Sequence, residues 1–182
     1  KHRYTGAVLY EADIPDDTPS GLQCRVALEK ATQAKADLRG CNLSGSDLRG
    51  CNLRGCNLRG SDLRDSDLRG SNLSGCNLSG SNLSYSDLSG SNLSGAIVRG
   101  HKLIGTRPVF QIGPIGSRCA QFVSYITEAG VLLNAGCFWG TVDEFRAKLA
   151  DTHGDNDHAK EYEMALLMID AHAAIWTPKE EA

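Results

Sequence analysis

The residues whose types and spacing could carry chemistry lie late in the chain. Thr152-His-Gly-Asp-Asn-Asp-His158 sets His153 and His158 five residues apart with Asp155 and Asp157 between them. Such groups can hold a divalent cation or pass a proton. Their spacing fits no zinc pattern, and the D-x-[DN]-x-[DN]-G order of a calcium loop is absent. The segment reads instead as a loop between two helices, with Asp157 capping the second. Cys137, in Gly-Cys-Phe-Trp-Gly140, would be a nucleophile if a following helix N-terminus lowered its pKa. No base accompanies it, and it reads as a buried thiol at a strand end. Phosphate loops, dinucleotide fingerprints and serine-hydrolase elbows do not occur. The expectation is a non-enzyme with no catalytic residue, no metal and no cofactor.

The elements that must position these residues form a C-terminal module over 106–182. Arg107–Gly116 carries two prolines and reads as a boundary. Ala120–Thr127 and Val131–Asn134 read as strands around a Glu128-Ala-Gly130 turn. Thr141-Val-Asp-Glu144 is a capping box opening a helix with Val142, Phe145 and Leu149 on one side. A second helix from Asp157 turns Tyr162, Ala165, Leu166 and Ile169 inward.

From Ala36 to Gly105 the chain runs in fives, ADLRG CNLSG SDLRG and onward, with Leu or Val at the third place of all 14 units. A period of five suits neither the 3.6 of an α-helix nor strand alternation, so the backbone must turn once per unit. If four units close one coil, the third-place leucines (Leu38, Leu43, Leu48, Leu53, Leu58, Leu63, Leu68, Leu73, Leu78, Leu83, Leu88 and Leu93) fill the axis. The small first-place Cys, Ser and Ala let the walls approach, and Gly at the fifth place tolerates the corner. The second, fourth and fifth places face solvent. Residues 20 apart then stack: Asp47 with Asp67 and Asp87, Asn52 with Asn72 and Asn92 as an amide ladder, and Arg39 with Arg59 and Arg99.

This motif, Ala/Cys/Ser–Asp/Asn–Leu–X–X, resembles that of the pentapeptide-repeat family. The resemblance implies a mainly β fold: a right-handed quadrilateral β-helix over 36–105, with residues 1–35 as an N-terminal strand and helix cap and 106–182 as a small α+β module. The strand is expected over Tyr4–Ile14 and the helix up to Lys35, with Leu22, Val26, Ala27, Ala31 and Ala34 at helical spacing. The IGPIGSR, GCFWGT and THGDN stretches resemble tails beside such repeats in bacterial and phage-type proteins of unassigned function.

Charge directs the choice of partner. Residues 1–35 balance five bases with five acids, 36–105 carry eight and six, and 106–182 carry six and eleven, a net of −5. The stem is thus too basic to imitate DNA, while the tail is acidic. The resemblance implies a protein-binding scaffold or inhibitor, with self-association as a homodimer, and the charge fits a phage-type decoy acting on a host DNA-processing or defence enzyme. Its expected contacts are Asp143, Glu144, Asp151, Asp155, Asp157, Glu161 and Glu163, together with Arg39, Arg59 and Arg99. Two alternatives are a metal-dependent or catalytic tail on a β-helix stem, and direct nucleic-acid binding by the Arg faces. Against the latter, no aromatic stacking platform accompanies the arginines.

Seven cysteines, four of them at first places of the repeat, read as reduced packing residues. No run approaches the ~18 apolar residues of a membrane span, and the expected location is the cytoplasm. The sequence begins at Lys1, which leaves a cleaved leader open.

Overall fold

The computed structural model describes Lys1 and residues 3–179. The chain divides into two compact units, Lys1–Lys102 and Leu103–Ala182.

In the first unit, helix α1 (Ser20–Gln33) precedes a β-helix-type coil that closes every 20 residues. Parallel bridges join Asn42 to Asp62, Asp47 to Asp67, Asn52 to Asn72 and Asn57 to Asn77, one for each unit of a coil. The Leu43 N–H donates to the Asp62 carbonyl at 2.8 Å and the Asp62 N–H to the Cys41 carbonyl at 2.9 Å, and the same pair recurs along the stem. Eleven of the twelve predicted axial leucines are buried. Fifth-place glycines turn the corners with positive φ, and Asp65 (φ 57°) and Tyr85 (φ 61°) hold the same conformation without being glycine.

First-place residues do more than fill space. The hydroxyls of Ser66 and Ser86 donate to the carbonyls of Leu43 and Leu63 in the coil before, at 2.8 and 2.6 Å. The Cys76 thiol donates likewise to Leu53 at 2.7 Å. Each of these buried hydroxyls and thiols thus finds an acceptor in the coil before it.

Leu83 is the exception among the leucines, being only half-buried. Strands β1 (Asn77–Leu78) and β2 (Ile97–Val98) pair in parallel, continuing the coil, but β3 (His101–Lys102) folds back antiparallel on β2. The turn is Arg99-Gly100, with φ of 49° and 88°, the doubly positive geometry of a tight hairpin. Lys102 therefore pairs with Ile97, and among the described residues no bridge stacks it over Asn82. The regular coil stops short of the expected fourteenth unit.

The predicted strand over Tyr4–Ile14 does not form. The edge of the first coil is taken by Lys1, whose carbonyl accepts from the Asn42 N–H at 2.8 Å, and by Arg3, whose N–H donates to Gly40. The following segment has no ladder left to join, and Tyr4 and Val8 stand exposed. In α1 the buried residues are Leu28 and Ala31, while Leu22 is exposed.

The second unit is a four-stranded antiparallel meander: β4 (Val109–Ile115), β5 (Ala120–Thr127), β6 (Gly130–Ala135) and β7 (Phe138–Thr141). Helices α2 (Val142–His153) and α3 (Asp157–Trp176) follow. Phe122 and Leu133 from the sheet meet Phe145, Leu149, Tyr162, Leu166 and Ile169 from the helices in one core. The segment expected as a boundary contributes β4, which holds Pro114 inside a strand. A register shift between Ile112 and Ile115 takes Gly113-Pro114 out of the ladder, so Pro114 never has to donate. Thr141 and Glu144 form the expected capping box. The cap of α3, however, is Asn156, which accepts from the Ala159 N–H at 3.0 Å, and Asp157 lies in the first turn.

Candidate functional site

The polar corners of the stem obey one rule. From Asp37 to Asn92, the side-chain oxygen of each second-place Asp or Asn accepts the backbone N–H two residues on, as Asn52 does from Arg54 and Asn72 from Ser74. This is an Asx turn, and it fixes the corner. Asn52, Asn72 and Asn92 stack one coil apart as expected, and the side-chain oxygen of each accepts within its own unit.

Where the unit reads Asp-Leu-Arg, the arginine also turns back onto the aspartate. Arg49 Nε lies 2.9 Å from Asp47 Oδ1, and Arg64 Nε lies 2.9 Å from Asp62 Oδ1. The guanidinium, and then the backbone N–H of the same arginine, draw the Asp37 and Asp47 carboxyls down to about 2. Asp62 and Asp67 are lowered for the same first reason. Asp62 is buried, although its place was expected to face solvent. Of the arginines expected to form a strip, Arg39 is held by Asp37, Arg59 stands exposed with its N–H on Asn57, and Arg99 turns into the hairpin.

In the second unit the expected acids have divided duties. Glu144 closes the α2 cap by accepting the Thr141 N–H at 2.7 Å, which lowers its pKa. Glu161 accepts the Gly116 N–H at 2.7 Å, and Glu163 pairs with Arg146, whose other arm reaches Asp170. Asp157 pairs with Lys160 on the surface, and Asp143, Asp151 and Asp155 are exposed.

His153 and His158 come together with ring centroids 5.7 Å apart, and Ser117 Oγ lies 3.5 Å from His153 Nε2. Among the described residues no three His, Cys, Asp or Glu side chains are grouped to share a metal ion. Cys137 is exposed at the β6–β7 turn, not buried, and β7 separates it from α2. Its neighbour is the Arg118 guanidinium, whose Nη1 donates to the thiol at 3.6 Å and cannot serve as a base.

Sequence reasoning followed α3 inward and missed its outer face. Met164, Leu167, Met168 and Ile175 are 54–69% exposed. With Ala171 they recur at i, i+3, i+4, i+7 and i+11, a single stripe along the helix. Glu163 and Asp170 flank it on one side and Glu161 on the other. The signal was present as a second apolar period offset from the buried one. Among the described residues no helix is long and apolar enough to cross a membrane.

The sequence profile "Pentapeptide repeats (8 copies)" matches residues 34–70 and 71–107. Similar solved structures include a pentapeptide repeat protein (Rfr23) from the cyanobacterium Cyanothece 51142, 36% identical over 29% of this chain and 40% of that one, with a TM-score of 0.26. A second comes from the Arabidopsis thaliana thylakoid lumen, 31% identical over 35% and 51%, with a TM-score of 0.20. A third, from Nostoc PCC 7120, is 31% identical over 41% of this chain and 80% of that one, with a TM-score of 0.22. The chain thus spans about half the length or less of the first two. No curated protein matches.

Proposed function

Because the chain belongs to the pentapeptide-repeat family, whose members are often protein-interacting scaffolds and generally non-catalytic, we propose that it is a non-enzymatic binding protein. Its stem is a right-handed quadrilateral β-helix with α1 as a cap, and its C-terminal module docks a partner protein through the outer face of α3. The apolar stripe of Met164, Leu167, Met168 and Ile175 carries this reading. Large apolar side chains held in water along one helix face are the pattern by which an amphipathic helix enters a groove. The acids along both flanks of the stripe select a groove with an apolar floor and basic edges.

A narrower form makes the partner a nucleic-acid-processing or defence enzyme whose basic groove the module occupies as a decoy. The exposed Asp143, Asp151, Asp155 and Asp157 favour it. Direct nucleic-acid binding by the stem is disfavoured, because its Asp-Leu-Arg units neutralise their own arginines.

The test is a pull-down with the tagged chain against a Met164→Glu/Leu167→Glu variant whose circular dichroism and melting match the parent. A partner retained by the parent and lost by the variant supports the α3 surface. Displacement of that partner by added duplex DNA supports the decoy form. Equal retention by both chains removes α3 from the interface. If the parent instead elutes as a dimer that the variant dissolves, the stripe is a seam between copies of this chain.

A further inference from the structure

Cys56 and Cys76 occupy the first place of units one coil apart, and their sulfurs lie 3.0 Å from each other. They are the one such pair in the repeat: Cys41 stacks on Ser61, with its sulfur 3.3 Å from the hydroxyl, and the residues 20 on from Cys51 and Cys76 are Ser71 and Ala96. Cys76 is fully buried, whereas Cys56 keeps 7% of its surface. That surface opens on a cleft of about 440 Å³ lined by Thr32, Gln33, Lys35, Arg54 and Asn57. Cys56 therefore borders this cleft and Cys76 does not. The cleft's two cationic side chains, Lys35 and Arg54, suit an anionic one.

We propose that Cys56 and Cys76 are a thiol–disulfide exchange site, oxidised by an anionic low-molecular-weight disulfide to a bond that staples two consecutive coils. The balance is complete. The Cys56 thiol loses its proton and attacks one sulfur of the reagent, whose S–S bond breaks and releases one thiol. The Cys76 thiol then loses its proton and attacks Cys56 Sγ, breaking the mixed disulfide and releasing the second thiol. Two cysteines are oxidised, one disulfide is reduced, and both protons end on the released thiols. At rest Cys76 donates to the Leu53 carbonyl and Cys56 donates to Cys76. This contact first, and burial second, push the Cys56 thiol up. Oxidation is accordingly slow and follows the supply of oxidant.

The experiment uses the full chain with Cys24, Cys119 and Cys137 replaced by Ser, leaving Cys41, Cys51, Cys56 and Cys76. After incubation with oxidised glutathione and denaturation, the expected thiol count is two, with a Cys56–Cys76 crosslinked peptide that dithiothreitol reverses. In the same background, Cys76→Ser is expected to trap a glutathione adduct on Cys56, and Cys56→Ser to remain unmodified. Four free thiols after prolonged incubation, a different pairing, or a glutathione adduct that persists on Cys56 while Cys76 is present would each overturn the proposal.

Discussion

Arg49 ties two coils together: its Nε lies 3.6 Å from Asp67 Oδ2, one coil beyond its own partner Asp47. Arg69 repeats the arrangement with Asp67 and Asp87. Charges of opposite sign therefore alternate along this face, and the like charges that stack every 20 residues are offset by their neighbours.

The acid limb of the stability curve should report these pairs. The Asp37 and Asp47 carboxyls sit at about 2 in the folded chain against an ordinary value of 3.8. A carboxylate depressed by folding stabilises above its unfolded pKa, and that contribution is lost as pH falls through the folded value. Urea midpoints should accordingly hold steady above about pH 5 and fall between about pH 4 and 2. The Asp37→Asn/Asp47→Asn variant should show a shallower fall, and parallel curves for the two chains would remove these pairs as the cause.

Asp62 separates the turn from the ion pair. Asn at this place keeps the oxygen that accepts the Arg64 N–H, and the chain itself uses Asn at the second place of half its units. Asp62→Asn should change stability by less than ~1 kcal/mol. Asp62→Ala leaves the corner N–H without its acceptor at a buried position and should cost about 1–3 kcal/mol more, read from denaturant midpoints.

Two leucines of identical motif position should differ in worth. Leu58 is fully buried between coils, so Leu58→Ala should cost about 2–5 kcal/mol. Leu83, half-buried where the coil gives way to the hairpin, should cost less than half as much. Equal losses in urea titrations would mean that the Leu83 face is covered after all.

The contrast between these residues shows where the sequence was legible. A strict period makes each unit's environment the same as the last, so Leu58 could be placed from spacing alone. Leu83 could not, because its environment depends on a rung that the Arg99-Gly100 turn diverts, and Arg-Gly in that unit has the same spelling as in the coils below. The Asx turns were hidden for a different reason: Asp and Asn at the second place were read as surface groups, and only the backbone geometry shows what their oxygens accept. In the second unit, the capping box of Thr141 and Glu144 was legible because both partners are local. Strand β4 was not, since the register shift that accommodates Pro114 is set by its neighbour β5. The outer stripe of α3 is legible in principle, as Met164, Leu167 and Met168 stand at helical spacing, but it overlaps the inward period of Tyr162, Ala165, Leu166 and Ile169.

Tyr85 holds a corner that glycine holds in twelve other units. Its φ of 61° carries a steric cost of roughly 1 kcal/mol for a side chain with a Cβ. The ring is 65% exposed and gains little from packing. Tyr85→Gly should therefore raise stability by up to about 1 kcal/mol, visible as a higher melting midpoint, and a loss instead would show that the ring is anchored.

Gly116 should be the least replaceable residue of the second unit. Its φ is +69°, and a Cβ there would lie 2.1 Å from the Tyr162 ring, which sits in the core with Phe122 and Phe145. Its N–H is also the donor that holds Glu161, which fixes α3 against the turn after β4. Gly116→Ala must either push Tyr162 outward, which breaks the aromatic contacts at 5.6 and 5.4 Å, or shift this turn, which breaks its bond to Glu161. The expected cost is about 2–4 kcal/mol. Hydrogen exchange locates the damage: protection should fall over β5 and α3 and stay unchanged at the amides of Leu53, Leu58 and Leu63. A Tyr162→Ala companion change should recover part of the loss by removing the clash while opening a cavity. If Gly116→Ala alone leaves exchange over α3 untouched, the turn is free to move and Tyr162 is not what fixes it.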